Sequence, residues 1–376
     1  MVFKVCKRVF RHECPASQVS AAIVCAFTHL APYGRGSDAG SVADPTDAVV
    51  DFRLAMTASL PTEVQQVFDR FITTEYTTVT PRGQPITWPV TPYYRPGDPC
   101  IDVTTGLGYP KKANDARAEP KVALLFSDPT GCGTENAPQV LVQGIAEVDD
   151  RDLDANRERY GRESVEKLPA TKAQLPPKPL RRMFGWYFTR IYVHVRPERV
   201  YVWRDGDVTR EPELFDAHLE EVRSGHVEEP VDEHAPARGV PPAWDERLDE
   251  LGQRYPEAVV SLVAPDGFPF SVRLPIEVDR AARRIRLGGA PVGVPWQPGL
   301  ACVTAHDHAP DFEWQRNFQV RGDLVEEDGA WVVVPDRLIG GFELPPASTI
   351  QRYRINARKV LRFRKIARAE MRKRGA

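Results

Sequence analysis

The chain predicts a mainly β protein built as two tandem β-barrels with a few helices. Three observations carry this. Short β-branched runs separated by Gly/Pro turns dominate from residue 60 onward, with few helical periods between them. The turn VTPRGQP, with Gly83, returns as VAPDGFP, with Gly267. Two further matches follow in the same order: VLVQGIAEVDD (Val140 to Asp150) with FQVRGDLVEED (Phe318 to Asp328), and RIYVHVRPERVYVWR (Arg190 to Arg204) with QRYRINARKVLRFRK (Gln351 to Lys365). Ordered self-similarity of this kind reads as an internal duplication. It places Gly83 and Gly144 opposite Gly267 and Gly322.

In order, residues 1–59 read as a disordered extension. Lys4, Lys7, Arg8 and Arg11 precede a weak apolar run that lacks a clean cleavage site, then a Gly/Ser/Asp-rich linker, and Met56 would be a natural start. Residues 60–204 are the first barrel. Val64, Val67, Phe68 and Phe71 share one face of a short helix opened by Pro61-Thr62-Glu63. Glu75 to Thr80 and Pro85 to Tyr94 form a hairpin around Pro81-Arg82-Gly83-Gln84. Ile101 to Thr105, Val122 to Phe126 and Gln139 to Val148 are strands, and Asp152 to Leu168 is a charged helix. Phe184 to Trp203 is strand, expected to turn at Arg196-Pro197-Glu198-Arg199. Residues 205–244 read as a linker with a helix near Pro212 to Ser224. Residues 245–366 are the second barrel, with Gln351 to Lys365 as its last strand, and 367–376 a basic tail.

Composition narrows the function classes. A net charge of −2 over 376 residues gives no electrostatic case for nucleic acid. No apolar run is long enough to cross a bilayer as a helix. Six cysteines without CxxC spacing argue against a zinc or redox pair, and a reduced cytoplasmic setting is the simplest fit. No Ser-His-Asp order, HExxH or GxGxxG is present. His306 and His308 alternate to one face of an extended segment, but without a third ligand they read as loop-end polar residues rather than a metal pair; His194 reads as structural.

The stretch with most chemistry is Ile101 to Pro129, IDVTTGLGYPKKANDARAEPKVALLFSDP. Thr104 and Thr105 end a strand, Gly106 and Gly108 loosen the loop, and Lys111 and Lys112 open a helix. Hydroxyls, paired cations and a helix start suit a bound phosphate. They also suit a solvated Lys-Lys turn. The second barrel has IRLGGAPVGVPWQPGLACVTAHDH there, without the lysine pair.

With VTPRGQP, VTTGLGYPKKAN, EPKVALLF and QVLVQGIAEV in this order, the sequence resembles the FMN-binding split-barrel superfamily, the pyridoxamine 5′-phosphate oxidase-like proteins and their deazaflavin-dependent relatives. The resemblance is good from Leu60 to Trp203 and weak from Asp245 to Lys365. It implies two tandem split barrels with the cofactor in a groove between them, as a homodimer or as an intramolecular pseudo-dimer, and a small-molecule substrate. It implies that Lys111 and Lys112 hold the phosphate of FMN, or alternatively of a deazaflavin coenzyme, with Thr104 and Thr105 facing the same phosphate. Gln139, five residues before Gly144, matches a glutamine near the flavin ring system. Trp88 stands where the oxidases carry a phosphate-binding arginine, so a cation is replaced by a flat apolar surface. The substrate-binding C-terminal signature of the true oxidases is not recognisable. The reading is a flavin-type oxidoreductase on an unknown small molecule; the alternative is a non-catalytic split barrel that carries or senses flavin or haem.

Overall fold

The computed structural model describes residues 60–134, 136–169, 185–216, 244–289, 291–341 and 349–374. The expected extension 1–59 and most of the expected linker lie outside them. Every strand pairing is antiparallel.

The first unit opens with α1 (Thr62–Arg70), whose Val64, Val67 and Phe68 are buried. Its strands are β1 (Thr74–Val79), β2 (Pro85–Val90), β3 (Pro92–Tyr93), β4 (Ile101–Gly106), β5 (Lys121–Phe126), β6 (Gln139–Asp149), β7 (Arg190–Trp203) and β8 (Glu213–Asp216). They form one curled sheet in the order β2-β1-β5-β6-β7-β4-β3, with β8 on β7. Helix α2 (Lys111–Ala118) links β4 to β5. Helix α3 (Leu153–Lys167) lies between β6 and β7; Asp152 caps it by accepting from the backbone N–H groups of Asp154 and Ala155. A short helix, α4 (Gly185–Phe188), leads into β7.

After α5 (Arg247–Arg254), the second unit is a closed six-stranded barrel. Its strands are β9 (Glu257–Val263), β10 (Pro269–Asp279), β11 (Arg284–Leu287), β12 (Gly299–His308), β13 (Gln315–Glu327) and β14 (Ala330–Gly340), in the order β10-β11-β14-β13-β12-β9. The chain ends in α6 (Thr349–Lys373).

Three sequence expectations are corrected. Residues 351–365 are helix, not strand; Val360, Phe363 and Ala367, at helical spacing, pack on the first unit's core. The strand that pairs with β13 is instead β14. No turn interrupts 196–199: β7 is continuous, and the irregularity there is a β-bulge that sets Gly144 opposite Pro197. The same irregularity recurs in the second unit with Gly322 opposite Pro335. A Cβ on Gly144 would overlap the carbonyl oxygen of Arg196, and one on Gly322 that of Val334, so both bulges need glycine. Finally, the described start of the expected 212–224 helix is strand β8.

The two units share a seam. Ala123, Leu125, Leu141 and Trp203 of the first belong to the same apolar cluster as Val260, Phe270 and Val303 of the second. Inside the seam lies a closed ring of four buried hydroxyls. Thr77 Oγ1 is 2.9 Å from Thr87 Oγ1, Thr87 2.6 Å from Ser261 Oγ, Ser261 2.8 Å from Ser271 Oγ, and Ser271 2.9 Å from Thr77. Thr77 faces Thr87 across β1–β2 as Ser261 faces Ser271 across β9–β10.

Candidate functional site

Strand β4 sits between β3 and β7, which sets Thr104 opposite Tyr192 and Thr105 opposite Ile191. Thr105 is buried and its hydroxyl donates to the carbonyl of Tyr109 at 2.9 Å, tying down the loop before α2. Thr104 is half-buried. Pro110 precedes α2 and provides no side-chain cap, and no acidic residue stands in the first turn.

The two lysines part company. Lys111 reaches back to Asp115, with Nζ 2.8 and 2.9 Å from the two carboxylate oxygens, and is mostly exposed. That is an ordinary i,i+4 helix pair. Lys112 turns inward, its Nζ 5.9 Å from the ring centroid of Tyr109. Burial, and after it the charge of Arg190, pushes its ammonium down to about 7.

Arg190 opens β7 and is 5% exposed. It donates from Nη1 to Tyr109 Oη (2.9 Å) and from Nη2 to Tyr160 Oη (2.8 Å), and its guanidinium lies 4.2 Å from the ring centroids of both Tyr160 and Tyr187. Its Nε has no partner, and among the described residues no carboxylate pairs with it. Among the described residues Arg190 is thus a buried cation held by phenols, beside a lysine whose charge it disfavours. Sequence reading missed Arg190 because it looks like the first residue of an apolar strand. Of its three tyrosine partners, Tyr109 and Tyr160 come from distant parts of the chain, so no spacing signals them.

The remaining expected site residues lie elsewhere. Trp88 is half-buried opposite Tyr76, at the seam: the carbonyl of its neighbour Thr87 accepts from Gln319 Nε2 (2.9 Å) and Thr304 Oγ1 (3.2 Å) of the second unit. Gln139 pairs with Trp203 at the far end of β7 from Arg190 and Ile191, up to about 40 Å of strand away. It is 6% exposed, and its Nε2 has no partner. The fold therefore brings Thr104, Thr105, Lys111, Lys112, Tyr109 and Arg190 together, sets Trp88 at the seam, and separates Gln139 from them.

His306 and His308 are not loop-end residues: they lie in β12 and are buried at the seam. His306 Nε2 is 2.6 Å from Glu75 Oε1, which also accepts from Arg273 Nη2 at 3.0 Å. Burial pushes the Glu75 carboxyl up, but these two partners outweigh it and hold it below its usual range. Among the described residues no group of three His, Cys, Asp or Glu is placed to hold a metal ion, and no helix is long and apolar enough to cross a membrane. His194 Nδ1 lies 2.7 Å from Asp102 Oδ1, in a network with Arg159, Glu163 and Tyr192. A cleft of about 640 Å³ beside Tyr93, Tyr94 and Lys167 carries both charge signs. Its Arg95 is paired with Glu166 and its Arg159 with Asp102 and Glu163, while its Lys167, which donates to the carbonyl of Asp69, is pushed down to about 8 by burial.

No family model matches the chain, and no curated protein matches it. Solved structures it is similar to include the General Stress Protein 26 from Bacillus anthracis, at 15% identity over 41% of this chain and 96% of that one, with a TM-score of 0.27. A putative pyridoxamine 5′-phosphate oxidase from Listeria innocua is 13% identical over 38% of this chain and 95% of its own, with a TM-score of 0.27. An F420 reductase is 18% identical over 36% and 94%, with a TM-score of 0.28. The neighbours are consistently of this split-barrel kind. At such TM-scores the likeness carries no argument; the fold rests on strand order and register, the site on its side chains.

Proposed function

We propose that the first unit binds a flavin-type cofactor through its phosphate, at Lys112 and Arg190, and that the protein is an oxidoreductase using FMN or a deazaflavin coenzyme on a small molecule. The observation that carries the reading is that no carboxylate among the described residues pairs with either Lys112 or Arg190. Two such charges repel and are poorly hydrated, so an anion between them gains from both. Thr104 and the uncapped start of α2 add hydroxyl and N–H donors on the same side. Lys111, held by Asp115, is left to the helix surface.

When bound, the cofactor would supply the hydride or electron chemistry. This chain's residues would bind the phosphate, fix its position relative to the seam and keep water from the cations. The sequence resemblance from Leu60 to Trp203 supports the same assignment.

The test is titration of the purified protein with FMN and with deazaflavin coenzyme, alongside the absorption spectrum of the protein as isolated. Charge-assisted contacts are worth roughly 1.5–3 kcal/mol. Lys112→Ala should therefore weaken binding by about ten- to a hundredfold, while Lys111→Ala changes it little. Binding of neither cofactor by the parent, or equal affinity in Lys112→Ala, would overturn the reading.

A further inference from the structure

We infer that the C-terminal helix α6, which follows the second barrel, is a clamp that positions the cation pair of the first, so that Phe363, Asp150 and Arg374 act as positioning residues for that site. The inference rests on the reading of Lys112 and Arg190 as an anion site, and it extends that reading to the other half of the chain.

The contacts run in an unbroken path. Phe363 of α6 meets Tyr109 edge to face, with ring centroids 5.4 Å apart. Tyr109 is the hub of the site: its hydroxyl accepts from Arg190, its ring lies under Lys112, and its carbonyl accepts from Thr105. Gly106 leaves room for that ring, since a Cβ there would meet it at 3.0 Å. One and two turns beyond Phe363 the helix is buried again at Ala367 and Glu370. At its end Arg374 donates to Asp150 (2.8 Å), and Arg117, in the last turn of α2, donates to the same carboxylate (2.9 Å). The end of α2 and the end of α6 are thus fastened to one anion. At the other side, Lys359 Nζ donates to the carbonyl of Gly341, at the end of β14, which holds α6 to its own barrel (2.8 Å).

The helix that carries Lys111 and Lys112 is therefore fixed from outside its own sheet. This gives the second unit a task although it has no lysine pair of its own: it supplies the helix that seats Tyr109.

The experiment uses the full-length protein with Phe363→Ala, Phe363→Leu and Arg374→Ala. Two quantities are read: the titration of the Lys112 ammonium in the cofactor-free protein, by NMR of labelled lysines with Lys112→Ala for assignment, and the affinity for FMN and deazaflavin coenzyme. Removing the Phe363 ring should admit water, move the Lys112 titration up from about 7 toward the ordinary lysine range, and weaken cofactor binding at least tenfold. Phe363→Leu should restore most of both. Arg374→Ala, at the chain end, should move both in the same direction without opening a cavity, and serves if Phe363→Ala fails to fold. A Lys112 titration unmoved by Phe363→Ala, or by Arg374→Ala in its place, overturns the clamp whatever the cofactor does. A moved titration with no cofactor binding in any variant upholds the clamp and removes the flavin reading.

Discussion

Thr77 Oγ1 of the first unit lies 2.9 Å from Ser271 Oγ of the second, and this contact closes a four-hydroxyl ring in which each member donates once and accepts once. All four side chains are fully buried. Breaking the ring at one member orphans its neighbours. Thr77→Val should cost about 1–3 kcal/mol by the usual penalty for an unsatisfied buried polar group. Replacing all four, with valine at Thr77 and Thr87 and alanine at Ser261 and Ser271, should cost less than the sum of the four single changes, because no orphan remains. Denaturant unfolding of the five variants checks this; simple additivity would show that the hydroxyls act independently.

The bulge glycines should be sensitive to the smallest enlargement. Gly144→Ala and Gly322→Ala each drive a methyl group into a backbone carbonyl that cannot swing away as a side chain can. Each should destabilise by about 1–3 kcal/mol. Gly133, around which a Cβ would meet nothing within 4 Å, still has a φ of +71° and should lose less on Gly→Ala. Urea midpoints of the three variants give the order.

The interaction of His194 with Asp102 should appear as a pH-dependent stability. The hydrogen bond to Asp102 raises the imidazole above its ordinary value. The folded protein then binds the proton more tightly than the unfolded chain. Its stabilisation is fully present below the unfolded value near 6.5 and is lost as pH rises through the elevated folded value. His194→Gln should lower stability at pH 5.5 by roughly 1.5 kcal/mol, the scale of a hydrogen bond to a charged group. The gap should narrow by pH 9. An equal gap at both pH values would mean that only packing was lost.

Cofactor affinity should also follow pH. Burial, and after it the charge of Arg190, pushes the Lys112 ammonium down to about 7. A phosphate monoester loses its second proton near pH 6. Affinity should be greatest between these values and fall on both sides, and Lys112→Ala should remove the alkaline fall. Isothermal titration across pH 5 to 9 measures both limbs.

Limited proteolysis should cut within the polar stretch 217–243, and the two fragments should stay together on gel filtration. The shared apolar cluster and the ring make the seam a core rather than a contact between separate bodies. Fragments that separate without denaturant would show the seam to be weaker than its burial indicates.

Much of the fold was legible because turns and bulges have few chemical solutions. Gly83 (φ 73°) and Gly267 (φ 83°) mark matching hairpins, and Gly144 and Gly322 mark matching bulges. The last helix was not legible as helix. Its Arg-x-Arg and Val-Leu-x-Phe text alternates like a strand, and only packing against the first unit selects the 360/363/367 spacing. The Arg196–Arg199 text resembles a turn, but β6 and β4 pair with β7 along its length and hold it extended. At the proposed site, the sequence treated both lysines of one helix alike. The difference between them lies in Asp115, one turn along from Lys111, and in Arg190, far along the chain.

The hydroxyl ring also bears on alignment. Apolar surfaces attract without direction, so a seam of aliphatic side chains alone would tolerate one barrel sliding or rotating against the other. Four hydroxyls that satisfy only each other do not. Sliding one unit along the other by one strand residue, about 3.3 Å, would carry Thr77 out of hydrogen-bond reach of Ser271. It would break the two hydrogen bonds of the ring that cross the seam, Thr77–Ser271 and Thr87–Ser261, at a cost on the order of 1–3 kcal/mol. The ring works as a vernier, selecting one setting of the two barrels from many that would bury similar area. At that setting Phe363, on the helix that follows the second barrel, meets Tyr109.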